Sequence, residues 1–167
     1  MTLEEAIKTA INYETKVRDV YLDNVDSIAD KTGRQVFQTL GDEEQGHLDY
    51  LNARLEEWRE TGKVSPCKLE TVVPACDVIE KGIKKLDDHM ATRDYGTERE
   101  MLTKALAMEQ ETSAFYRRIV DELGNDGTLF ARFLEIEEGH EAIVQAELDY
   151  LNQSGTFFDF QEFNMED

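Results

Sequence analysis

Two glutamate–histidine pairs, Glu44/His47 and Glu137/His140, stand 93 residues apart, each in the run Glu-x-Gly-His. A spacing of three residues puts both side chains of a pair on one face of a helix. Carboxylate oxygen and imidazole nitrogen together suit iron or manganese. Both pairs lie inside apolar stripes. Phe37, Leu40, Leu48, Leu51, Leu55 and Trp58 recur at three- and four-residue steps around the first, and Phe130, Phe133, Val144, Leu148 and Leu151 around the second. A carboxylate aimed into a core is costly unless it is paired or bound to a metal. Two such pairs, both facing inward, point to one shared metal site.

Two further helical stretches complete the set. The first carries Ile7, Ile11, Val17, Tyr21, Val25 and Ile28 on one face with Glu14 at its middle; the third carries Leu102, Ala105, Tyr116, Ile119, Val120 and Leu123 with Glu109 at its middle. These two align at an offset of 95, matching Glu14 with Glu109 and Tyr21 with Tyr116. The second and fourth align at an offset of 93, matching Glu44 with Glu137 and His47 with His140. The chain is therefore a doubled helical hairpin. Each half supplies a Glu from its first helix and Glu-x-x-His from its second. Four Glu and two His form the ligand set of carboxylate-bridged di-iron and di-manganese bundles. The bland alternative, a metal-free polar core, requires six polar groups to align across the repeat by chance.

The elements that must position these residues are legible from capping chemistry. Thr2–Glu5, Thr32–Gln35 and Thr97–Glu100 read as capping boxes opening helices one, two and three, and Asp126 or Thr128 can cap the fourth. Gly62, Gly124 and Gly155 read as helix stops. The links within each half are short, so each hairpin is antiparallel. Between them runs a crossover of about 35 residues, in which Pro74 can open a short helix with Ile79, Ile83, Leu86 and Met90 on one side. The expected fold is all-α: a four-helix bundle over residues 1–155, made of two antiparallel hairpins joined by a long crossover containing a short helix. A Phe-rich tail, 156–167, is expected to pack on the bundle or on a partner subunit, because a disordered tail rarely carries so many aromatics.

At this point the sequence resembles the rubrerythrin branch of the ferritin-like superfamily. The residues that carry the likeness are A-I-N-Y-E-T-K-V-R-D-V-Y (10–21), D-E-E-Q-G-H (42–47), A-L-A-M-E-Q-E-T-S-A-F-Y (105–116) and E-I-E-E-G-H (135–140). The resemblance implies a ferritin-like bundle with Glu14, Glu44, His47, Glu109, Glu137 and His140 as ligands of two iron ions, with manganese as the alternative metal. It implies an oxidoreductase that reduces hydrogen peroxide or O2 and protects against oxidative stress. Ferroxidase or iron-storage activity, and a di-manganese catalase, are the alternatives. A homodimer is common in that family. Two departures stand out. Rubrerythrins proper carry a rubredoxin-like domain with two Cys-x-x-Cys pairs, whereas this chain has only Cys67 and Cys76; the electron donor would be a separate, rubredoxin-like protein, and the two Cys read as free thiols. The family also places an extra Glu one turn after the third-helix ligand, where this chain has Thr112.

The remaining residues carry weaker signals. Tyr21 and Tyr116 lie two turns beyond Glu14 and Glu109 on the same face. They are core residues with satisfied hydroxyls, hydrogen-bond donors to a ligand carboxylate, or one-electron donors. Glu43 and Glu138 adjoin ligands but point about 100° away, toward solvent or behind a ligand. Glu111 reads as surface and His89 as exposed; Gly46 and Gly139 read first as close helix contacts, with room beside the site as the alternative. A net charge of −19, from 37 acidic and 18 basic residues, argues against nucleic-acid binding. It suits a solvated surface and would concentrate Fe²⁺. No apolar run approaches the roughly 18 residues that span a membrane. The N-terminus has no basic-then-apolar signal pattern. A cytoplasmic location is the expectation.

Overall fold

Apolar side chains at three- and four-residue steps, with few strand-like alternations, fold here into helices throughout. The computed structural model describes residues 1–84, 86 and 96–165, and among these every regular element is helical. Four helices are long: α1 (Leu3–Leu22), α2 (Lys31–Thr61), α4 (Gly96–Leu123) and α5 (Thr128–Ser154); a short α3 (Cys76–Lys84) lies between α2 and α4. None is long and apolar enough to cross a membrane.

The helix ends follow from local chemistry. Thr2 and Glu5 form a reciprocal capping box at the start of α1. At α2 the expected box at Thr32 does not form. Asp30 is the cap, its carboxylate accepting from the Gly33 amide at 2.7 Å, which leaves Thr32 inside the first turn. Thr97 already lies within α4 (Gly96–Leu123), so it is not the cap of that helix. Neither Asp126 nor Thr128 caps α5: the 3-10 turn Gly124–Gly127 leads straight into it, with Gly127 at the cap position. Gly62 and Gly155 close α2 and α5 at φ 71° and 75°, a left-handed conformation that glycine adopts without a Cβ clash. Ala75, next to Pro74, accepts the first helical bond of α3. Ile79 is buried, but Ile83 is exposed rather than on the covered side. Met90 and His89 lie outside the described residues.

Polar contacts fix the directions. Arg18 reaches Gln45 and Arg59 reaches Glu4, so α1 and α2 run antiparallel. Arg99 reaches Asn152 and Arg117 reaches Glu138, so α4 and α5 do the same. Each long helix then crosses the same three layers. One apolar cluster gathers Val17 and Tyr21, Phe37 and Leu40, Leu102 and Ala105, and Val144 and Leu151. The other gathers Ala6 and Ala10, Leu51 and Leu55, Tyr116 and Ile119, and Phe130 and Phe133. Between them on each helix fall Glu14, Glu44/His47, Glu109 and Glu137/His140. A charged layer is thus held between two apolar ones.

The chain between α2 and α3 runs back beside α2. Ser65 bonds Glu57, Lys68 donates to the Tyr50 hydroxyl, and Val72 donates to Glu43; Leu69 accepts from Arg132 of α5. Cys67 and Cys76 are free thiols. The tail phenylalanines Phe157, Phe158, Phe160 and Phe163 are buried against their own chain. Gly33 and Gly82 admit two of these rings, since a Cβ at either would stand 2.6 Å from Phe157 or Phe163. Gly46, read from the sequence as a close contact, has nothing within 4 Å of where its Cβ would be, and Gly139 only Val73 at 3.9 Å.

Candidate metal centre

Glu14, Glu44, His47, Glu109, Glu137 and His140 converge in the middle layer, none more than 2% exposed. They form two overlapping groups. His47 Nδ1 stands 3.4 Å from Glu14 Oε2, 3.2 Å from Glu44 Oε2 and 3.0 Å from Glu137 Oε1. His140 Nδ1 stands 2.7 Å from Glu44 Oε1, 3.6 Å from Glu109 Oε1 and 3.7 Å from Glu137 Oε2. Glu44 and Glu137 belong to both groups, one oxygen turned to each. In either group the four ligand atoms lie within 4.8 Å of one another, close enough to hold a metal ion. With metal–ligand bonds of about 2.0–2.2 Å, neighbouring ligand atoms stand ~3 Å apart, which is the spacing around His47.

Hydrogen bonding among these groups is incomplete without an ion. Glu44 Oε2, Glu109 Oε2, both oxygens of Glu137 and His47 Nε2 are buried with no hydrogen-bond partner. The Glu137 Oε1–His47 approach is short, yet its angle makes no hydrogen bond. Buried polar groups are nearly always satisfied, and a cluster of orphans calls for an ion or water. A single imidazole N–H among three carboxylates can serve only one of them; a cation at that point serves all three.

Burial and like charge set the protonation of these groups. Burial raises the Glu44 carboxyl to about 8, reinforced by the charges of Glu14 and Glu109. Glu137 is likewise pushed well up, by burial and then by Glu14, Glu44 and Glu109. Burial alone would raise Glu14 too, but hydrogen bonding to Glu44 and the neighbouring His47 hold it below the usual carboxylate range. Both imidazoles rise well above their ordinary value: burial opposes this, and the surrounding carboxylates, Glu14 and Glu44 for His47 and Glu44 first for His140, outweigh it. Protons thus balance the carboxylates where no metal is bound.

The two tyrosines bind crosswise. Tyr21 Oη donates to Glu109 Oε1 and Tyr116 Oη to Glu14 Oε1, each at 2.6 Å. Each first helix of a hairpin therefore orients the glutamate of the other, and both hydroxyl pKa values rise, through burial and then carboxylate charge. Thr112 is buried, but its hydroxyl donates to Met108 O of its own helix at 2.8 Å. Glu111 and Glu138 are exposed.

Of the two places its position allowed, Glu43 takes the one behind a ligand. Its Oε1 stands 2.9 Å from His140 Nε2, on the ring edge opposite the cluster, and the Thr71 hydroxyl and Val72 amide hold it there. Burial would raise this carboxyl, but the His140 contact, Thr71 and Val72 bring it down to about 2. Sequence reasoning missed Glu147, which is fully buried and accepts from the Phe158 amide at 2.9 Å. Its spacing of seven from His140, on the stripe of Val144 and Leu151, is the signal that could have found it.

Comparison with protein-family models, with curated proteins and with solved structures finds no match to this chain.

Proposed function

We propose that this chain is a rubrerythrin-like protein with a ferritin-like arrangement of its hairpins, holding two iron ions and reducing hydrogen peroxide or O2. The observation that carries this reading is the pair of overlapping ligand groups sharing Glu44 and Glu137. One group adds Glu14 and His47, the other Glu109 and His140. A doubled hairpin built for one ion would not need two carboxylates facing both ways.

Bound iron would supply two electrons to an O–O bond, so that hydrogen peroxide and two protons become two waters. The protein's part is to hold, orient and enclose. Tyr21 and Tyr116 fix Glu109 and Glu14 through their 2.6 Å bonds. The near-complete burial of all six ligands restricts the oxidant to a very small molecule. Electrons would return from a separate donor protein, and a homodimer and a cytoplasmic setting accompany the reading.

Oxidation of Fe²⁺ for storage is the second reading. Thr112 favours it: the family's extra Glu is missing there, and its hydroxyl is committed to Met108. Anaerobic loading with Fe²⁺, followed by rapid mixing with peroxide or O2 in parallel, separates the two. Much faster oxidation by peroxide at two irons per chain supports reduction of peroxide. Faster oxidation by O2, continuing past two irons, supports storage, and Thr112→Glu should then shift reactivity toward peroxide.

A further inference from the structure

The two halves of the site differ at one position. His140 and His47 are repeat equivalents, and their Nδ1 atoms face the shared cluster in the same way. Behind His140, Nε2 meets Glu43 Oε1 at 2.9 Å. Behind His47, Nε2 is buried with no hydrogen-bond partner. The sequence explains the difference: at the 93-residue offset, Glu43 corresponds to Ile136, which is buried and has nothing to accept an N–H.

A ligating imidazole donates its other ring N–H to an acceptor, which fixes the tautomer that leaves Nδ1 free for the metal and makes the ring a stronger base. Loss of such a partner typically costs 10–100-fold in metal affinity. Glu43 is itself firmly placed, because Thr71 and Val72 of the crossover bond its two oxygens at 2.5 and 2.9 Å. His47 Nε2 makes no such bond: Glu43 also lies within 4.8 Å of a His47 ring nitrogen, but its oxygens are taken by His140, Thr71 and Val72.

We propose that Glu43 is a positioning residue for His140, and that it makes the duplicated site unequal: the ion held by Glu44, Glu109, Glu137 and His140 binds first and more tightly. The ion held by Glu14, Glu44, His47 and Glu137 binds second. The inference rests on the two-metal reading above and goes beyond it in assigning an order and its cause. The crossover thereby acts on the affinity of one ion and not the other. Shared carboxylates alone would make two identical ions bind in steps, so the telling quantity is which histidine takes the first equivalent.

The test uses the full chain and Zn²⁺, a diamagnetic probe. Ring-nitrogen NMR signals of His47 and His140, assigned with His47→Gln and His140→Gln, are followed as Zn²⁺ is added. One equivalent should shift His140 and leave His47 nearly unchanged, a preference on the order of 10–100-fold. Glu43→Leu removes the acceptor, as Ile136 does in the other half, and should bring the preference toward unity, with helicity and melting temperature checking the fold. If the first equivalent divides equally or goes to His47, the inference is overturned. It is equally overturned if a folded Glu43→Leu protein keeps the full preference. The wild-type result stands whether or not that variant folds. Failure of either histidine to respond at any Zn²⁺ level would remove the two-metal reading itself, a different failure from equal occupancy.

Discussion

Glu44→Gln should stabilise the metal-free protein while abolishing its response to metal. The Glu44 carboxyl sits at about 8 when folded, against a reference value of 4.5. At pH 7 it is therefore protonated in the folded chain and ionised in the unfolded one. Holding that proton costs about 1.4 kcal/mol per pH unit between 4.5 and 7, or about 3 kcal/mol in all. The sign follows from the raised folded value. Stability from this group is complete below pH 4.5, falls as pH rises toward 8, and is constant beyond. Glutamine mimics the protonated carboxyl: its oxygen can still accept from His140 Nδ1, now at 2.7 Å from Glu44 Oε1, and its amide can donate toward Glu14. The variant should match wild type near pH 4.5 and exceed it by about 3 kcal/mol at pH 7, or roughly 6–12 °C in melting temperature for a chain of this size. Metal reverses the order. Wild type gains about 2.7 kcal/mol at a hundredfold excess of free metal over Kd; the variant, missing a ligand common to both groups, gains little. Urea unfolding after chelator treatment, at pH 4.5 and 7 and with or without Fe²⁺ under anaerobic conditions, reads all four quantities. A metal-free variant no more stable than wild type at pH 7, or an equal metal response in both proteins, would refute the reasoning.

Metal loading should release protons, because both imidazoles and the Glu44 and Glu137 carboxyls hold protons at neutral pH before metal binds. Affinity should therefore climb from pH 6 to 8, and calorimetry in two buffers of different ionisation enthalpy should show release of more than one proton per chain; a buffer-independent heat would contradict this. Tyr116→Phe removes the 2.6 Å bond to Glu14 and leaves that carboxylate without its donor. A loss of about 1.5–3 kcal/mol at the denaturant midpoint is expected, the range for hydrogen bonds to charged groups, and an unchanged midpoint would show the bond to be inconsequential. Gly33→Ala should cost about 1–3 kcal/mol by pushing Phe157 from its seat. Gly46→Ala, with open space around it, should gain about 0.5–1 kcal/mol of helix propensity. Equal melting shifts for the two alanine variants would contradict the packing described.

The long helices and the six convergent residues were legible in the sequence for a physical reason. A carboxylate or imidazole at a position that apolar periodicity assigns to the core is conspicuous, and the repeat shows it twice. The helix starts were less legible, because several Ser, Thr or Asp residues compete at each N-terminus: Asp30 caps α2 although Thr32 has the better local pattern. Sequence left Glu43 between solvent and a place behind a ligand, because its partner, His140, is 97 residues away and its supports, Thr71 and Val72, come from the crossover. The crosswise pairing of the tyrosines was likewise hidden, since periodicity gives the face of a residue but not which neighbouring helix it meets. Gly46 shows the opposite error, a glycine inside a helix beside a buried site that touches nothing.

The most direct test of the account is the number of irons bound under anaerobic conditions, measured by equilibrium dialysis and metal analysis on wild type and on the Glu44→Gln, Glu137→Gln double variant. Two Fe²⁺ per chain in wild type and none in a fully helical double variant is the predicted result. Fewer than two in wild type, or two retained by the double variant, would contradict the claim that Glu44 and Glu137 join two metal ions at the centre of the bundle.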